Sequence, residues 1–269
     1  MSAPSPLPAP PITDLKLAAA AFLVLAAGGI SLLAGLGLLR SLLVGVARTV
    51  IQLLLMGFAL GIIFQWNQPY AVAGVVLLMC LVATFEALQR SKGIFRPPRS
   101  TVFWTMAATT YTVSLIICAA VIRPAPLWKP QVALPLAGMV LGHTLNVVSL
   151  ALERLHSEMS NRLDQVEVLL ALGATPWEAA RGPCRGAIRA GMTPILNALN
   201  IVGLVSLPGV MTGQILAGAD PIQAARYQIV IMLMLALAAS LSSLLTVVLG
   251  YRRYFTADAA LNQEVRRQL

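Results

Sequence analysis

The sequence predicts an all-α integral membrane protein of about seven transmembrane helices, N-terminus out and C-terminus in. Three observations carry that reading. Only 11% of the 269 residues are charged and 58% are hydrophobic, whereas soluble globular domains hold about 25% charged residues. The mean hydropathy is +0.81. The apolar residues also gather in runs long enough to cross a hydrocarbon core, which takes about 20 helical residues, and most cations fall in the gaps between them.

The elements follow in order. MSAPSPLPAPPI is rich in Pro and Ser and lacks a basic n-region, so residues 1–13 are expected to be a disordered tail rather than a signal peptide. Residues 14–255 form the membrane domain and 256–269 a short polar tail. The first span is Leu15–Leu39. The second runs from SLLVGVARTV to Phe64, with Arg48 near its start and Gln52 one turn on. Trp66 in the turn QWNQP suits an interfacial depth. The third span is Tyr70–Leu88, the fourth Thr101–Ile122 and, past Pro124 and Pro126, the fifth Val132–Ala151. The sixth is Met192–Ala217 and the seventh Ile222–Leu249.

The cations test this count. Arg40 and Arg48, then Arg90, Lys92, Arg96 and Arg99, then Arg154, Arg162, Arg181, Arg185 and Arg189, and finally Arg252, Arg253, Arg266 and Arg267 all fall on one side. Only Lys16, Arg123, Lys129 and Arg226 fall on the other. This is the asymmetry that the positive-inside rule demands. It accounts for the net charge of +9 without a nucleic-acid partner. Cys80, Cys118 and Cys184 have no metal-site or disulfide spacing. The spans do not divide into similar halves, so symmetry would come more simply from pairing two copies of the chain.

The most polar segment is the loop 151–191, between spans five and six. Leu163, Val166, Leu169 and Leu170 recur at helical spacing. Gly173 follows the last apolar residue, where a left-handed cap favours glycine. Thr175-Pro176-Trp177-Glu178 reads as a capping box with proline at the first helical position. The spacing predicts a helix that stops at Gly173, and then a short helix, Pro176 to Arg189, carrying Trp177 and Arg181 outward.

Glu167, Gly173 and Ala174-Thr175-Pro176 resemble the EAA-type loop of ABC transporter permeases. The residues after Glu167 are Val168-Leu169 rather than two alanines. A closer resemblance covers about Leu15 to Phe255 and rests on RTVIQLLLMG, PLAGMVLGHTLN, LLALGATPWEAA and SLPGVMTGQILAGADPIQAARYQIVIM. These look like the FetB-type permeases, membrane subunits of a bacterial ABC exporter linked to iron, to which plant aluminium-tolerance permeases are similar. His143 stands where that family usually carries asparagine. The resemblance implies a homodimeric, multi-pass permease of the bacterial inner membrane. A separate ATP-binding subunit would dock on Glu167, Gly173, Ala174, Thr175, Pro176, Trp177, Glu178 and Arg181. ATP and magnesium would belong to that partner, and no cofactor to this chain.

Polar side chains at membrane depth are costly and often functional, though many only bridge helices. Met139, His143 and Asn146 share a face of span five; thioether and imidazole suit late first-row metals, and an interhelical hydrogen bond from His143 is the more ordinary alternative. Glu86 would pair with Arg90 four residues on; a transport role is the other reading. Gln52, Asn197 and Asn200 are bridging candidates. In Ser206–Gln214, Pro208 and Gly209 would break span six, so that Met211, Thr212 and Gln214 line a cavity; a plain kink is the alternative. His143 and Met211 are the candidate metal contacts. No Walker A, HExxH or nucleophile-elbow pattern occurs, so no catalytic residue is assigned. The expected function is ATP-driven metal-ion export, iron first. An importer permease for a small solute, or a motor-independent carrier or scaffold, are the rivals.

Overall fold

The computed structural model describes residues 13–35, 37–66, 68–90, 99–256 and 258–262. Its helices are α1 (Asp14–Leu33), α2 (Leu39–Trp66), α3 (Pro69–Arg90), α4 (Arg99–Ile116, extended by a π-turn over Ile117–Ile122), α5 (Pro130–Asn161), α6 (Leu163–Ala171), α7 (Pro176–Ile201), α8 (Gly209–Leu216) and α9 (Pro221–Gly250, followed by a 3-10 turn over Tyr251–Tyr254). No strand occurs among the described residues. Residues 1–12 of the expected N-terminal tail, the cations Lys92, Arg96, Arg266 and Arg267, and the side chain of Trp66 lie outside them.

Among the described residues, five helices are long and apolar enough to cross a membrane: Leu39–Gln65, Pro69–Arg90, Arg99–Ile122, Pro130–Asn161 and Pro221–Tyr254. This is a multi-pass membrane protein. Its two longest helices run well past what a crossing needs. At about 1.5 Å per residue, the 32 residues of α5 and the 30 of α9 reach roughly 48 and 45 Å. Each therefore outruns a hydrocarbon core of about 30 Å.

The helix α5 is the hub, packed on α3, α4, α7 and α9. Cys80, Met106, Ala137 and Leu141 fill the α3–α4–α5 core, and Val113, Val140, Met234 and Ala238 the α4–α5–α9 core. Val147, Ile195 and Ala239 join α5, α7 and α9. The hairpin α1–α2 lies at the margin, its turn held by the Leu38 N–H donating to Ser31 Oγ at 3.1 Å. None of the most apolar stretch of α2 is buried.

A fourth core gathers the excess length at one end of the bundle. Leu155 and Met159 of α5, Val166 of α6, Ala180 and Cys184 of α7, and Tyr254 and Phe255 beyond α9 pack together there. Small residues let α7 approach closely: a Cβ on Gly191 would sit 3.1 Å from Ser243 and 3.3 Å from Val147. That packing corrects one expectation. The helix that starts at Pro176 is not short; it continues past Arg189 to Ile201. Pro183 and Pro194 lie inside it, each deleting one ladder hydrogen bond that contacts along α5 and α9 offset.

Candidate functional site

The turn between α6 and α7 follows the local rules in detail. Gly173 has φ +87°, a left-handed conformation that costs a side-chain-bearing residue about 1 kcal/mol or more. Its N–H donates to the Leu170 carbonyl and that of Ala174 to Leu169, both at 3.0 Å, the paired bonds of a Schellman stop. Two residues on, the Glu178 N–H donates to Thr175 Oγ1 at 3.4 Å, and the Thr175 N–H donates back to Glu178 Oε2 at 2.8 Å. The backbone and side-chain hydrogen bonds from Thr175 hold the Glu178 carboxyl below its ordinary range. Pro176 occupies the first helical position.

What this turn presents is apolar. Leu172 is 79% exposed; Val168 and Leu169 of α6 are exposed beside it, while Val166 of the same helix is buried. Arg181 is exposed, as expected, and Glu167 half-buried. Trp177 also faces outward, but with a contact the sequence did not show. It is 41% exposed, and its ring lies edge-on to Tyr251 at 5.1 Å, so it braces the turn against the end of α9. Burial pushes the Cys184 thiol, at the centre of the same cluster, up to about 12.

The polar candidates of the membrane region do not converge. Met139 packs against the α4–α5–α9 core. Asn146 accepts a hydrogen bond from Arg90 Nη1 at 2.9 Å. His143, between them, has a buried Nε2 with no hydrogen-bond partner among the described residues. Glu86 pairs with Arg90 at 3.8 Å, as the spacing predicts, and also with Arg48 at 3.5 Å. The result is a half-exposed Arg48–Glu86–Arg90–Asn146 chain tying α2, α3 and α5. The i,i+4 pair was readable in the sequence; its extension to two other helices was not. No three His, Cys, Asp or Glu side chains converge among the described residues.

The break after α7 falls earlier than the sequence suggests. The helix ends at Ile201, and residues 202–208 form a loop closed by the Gly203 N–H donating to the Ser206 carbonyl at 2.9 Å. Gly203 has φ +83°, so glycine leaves the helix, and Pro208 serves instead as the N-cap of α8. Thr212 returns its hydroxyl to the Pro208 carbonyl at 3.1 Å; Met211 and Gln214 are half-buried on α8. Two groups escaped sequence reasoning. Thr105 and Thr109 of α4, Thr144 of α5 and Thr246 of α9 are buried hydroxyls without partners among the described residues; no local pattern marks them. Glu158, with arginines four residues before and after it, did carry a signal in its spacing.

The family model of the uncharacterised protein family UPF0014 matches residues 14–255. The chain belongs to this family. Members similar to it include the UPF0014 membrane protein slr1647 of Synechocystis, 40% identical over 84% of this chain and 88% of that protein. The probable iron export permease protein FetB of Escherichia coli is 35% identical over 91% of this chain and 93% of its own length. Protein ALUMINUM SENSITIVE 3 of Arabidopsis thaliana is 33% identical over 93% and 90%. No solved structure matches. The resemblance to FetB-type and plant aluminium-tolerance permeases thus holds over most of the chain.

Proposed function

We propose that this chain is the permease subunit of an ABC transporter that exports metal ions, iron first, by using ATP hydrolysed on a separate subunit. The observation that carries the reading is the α6–α7 turn. A rigid tip, stopped by Gly173 and restarted by Thr175, holds Leu172, Val168 and Leu169 out in solvent, although α6 has a core to bury them in. An apolar surface fixed at the head of a continuous helix suits docking into a cleft of a partner protein. The likeness to the probable iron export permease FetB supports iron as cargo. The cation-bearing gaps at Arg40–Arg48 and Arg90–Arg99 and this turn then lie on the cytoplasmic side. In this reading α1 and the broken α7–α8 pair complete seven crossings, N-terminus out and C-terminus in.

Two exposed features favour a pair of copies. Non-helical backbone at membrane depth is tolerated only against protein or water, and Leu204, Val205 and Leu207 of the 202–208 loop are exposed in the single chain. Asn197 and Asn200 of α7 are exposed beside it. A second copy facing this surface would enclose them in a polar route, with Met211, Thr212 and Gln214 near its wall, and His143 and the buried threonines within each protomer.

The test is transport in inverted membrane vesicles that hold the chain and the ATP-binding subunit of its own organism. Iron(II) and other divalent ions, added one at a time, should accumulate only with ATP and only when both proteins are present. Leu172→Asp should abolish retention of the ATP-binding subunit while the permease still inserts. Uptake without that subunit would reject the docking reading; ATP-driven loss from preloaded vesicles would reverse the direction.

A further inference from the structure

We infer that Glu158 is the positioning residue that carries movement of the α6–α7 tip into α5. This rests on the docking reading above and adds the route by which force leaves the tip.

Glu158 lies near the end of α5 and is only 7% exposed. Its carboxylate accepts Arg154 Nη2 at 2.6 Å and Arg162 Nε at 3.0 Å. Arg162 is the corner itself, the residue between the end of α5 and the start of α6. From the other side, α7 supplies two glycines one turn apart. A Cβ on Gly186 would stand 3.1 Å from the Glu158 Cδ and 3.2 Å from its Cγ and Oε1; one on Gly182 would stand 3.3 Å from Arg162 Nη1. The glycines thus form a slot in α7 that seats the carboxylate and the guanidinium together. Three segments, the end of α5, the root of α6 and the first turns of α7, close on one charged group.

That arrangement has a mechanical consequence. The tip is a hairpin whose two legs are both fastened to Glu158, α6 through Arg162 and α7 through the glycine slot. A buried carboxylate cannot part from its cations without leaving an uncompensated charge, which is strongly unfavourable. Lever and joint therefore move as one body, and displacement at Leu172 reaches α5 rather than dissipating in the corner. The same helix carries His143 about 22 Å further along, at about 1.5 Å per residue.

A clamp needed only for folding would give the same distances, so the test reads coupling rather than stability. The permease and its ATP-binding subunit are placed together in proteoliposomes with iron(II). ATP hydrolysis and ion movement are then measured in parallel for Glu158→Gln, Gly186→Ala and, as a control, Gly74→Ala, whose Cβ meets nothing within 4 Å. Gly186→Ala keeps every charge and only crowds the carboxylate. Expected is retention of complex and of hydrolysis, with ions moved per ATP falling about tenfold in both test variants and unchanged in the control. An unchanged ratio in both variants overturns the inference, as does parallel loss of assembly, hydrolysis and transport. If the wild-type chain recruits no ATP-binding subunit at all, the docking reading fails first and takes this inference with it.

Discussion

Glu178 illustrates what one side chain contributes at the tip. Its carboxylate takes hydrogen bonds from the backbone and hydroxyl of Thr175, which lowers its proton affinity in the folded chain. A depressed carboxyl stabilises the fold above its unfolded pKa, about 4.3, and that contribution disappears as pH falls through the lower folded value. Protection of the first-turn amides of α7 against hydrogen exchange, corrected for intrinsic rate, should therefore drop as pH falls below about 4. Glu178→Gln, which can still close the capping box, should show no such dependence. An identical drop in the variant would mean another group is responsible. Both residues of the box were legible in the sequence because capping is a contact between residues three apart. The chain Arg48–Glu86–Arg90–Asn146 was only half legible, since two of its members come from other helices.

At the scale of elements, α7 is the main correction. Its start obeys local chemistry, but its end does not: no cap or glycine stop operates at Arg189, and packing of Ala187, Gly191 and Ile195 against α5 and α9 carries it to Ile201. The proposed docking tip is thus the end of one long helix rather than a separate short one. Trp177 holds that end against Tyr251, an edge-on pair worth about 0.5–1.5 kcal/mol beyond its buried area. Trp177→Ala should loosen the segment, with trypsin cutting at the exposed Arg181 about two- to tenfold faster. Cleavage at the wild-type rate would show that the aromatic contact does not restrain the tip. The break between α7 and α8 carries the same lesson. Pro208 drew attention to the right neighbourhood, but Gly203, five residues earlier, makes the turn.

For the molecule as a whole, the proposed pairing of two copies turns on which surface would meet the second. The marginal helix α2 and the 202–208 loop both expose large apolar side chains, yet of the two only the loop is non-helical backbone, which the membrane tolerates only against protein or water. In membranes of a variant with the native cysteines replaced, Leu204→Cys should form intermolecular disulfides and Phe58→Cys on α2 should not. The opposite pattern would move the interface to α2. The sequence by itself determined the membrane class, the helical fold, the family and the construction of the α6–α7 turn. Each of these depends on composition, on a run of neighbours, or on contacts within a few residues. Tertiary structure alone decided the length of α7, the seat of Trp177, the joint at Glu158 and the buried threonines. Those depend on which helices lie side by side, and a carboxylate or hydroxyl in the sequence carries no mark of the neighbour that will bury it.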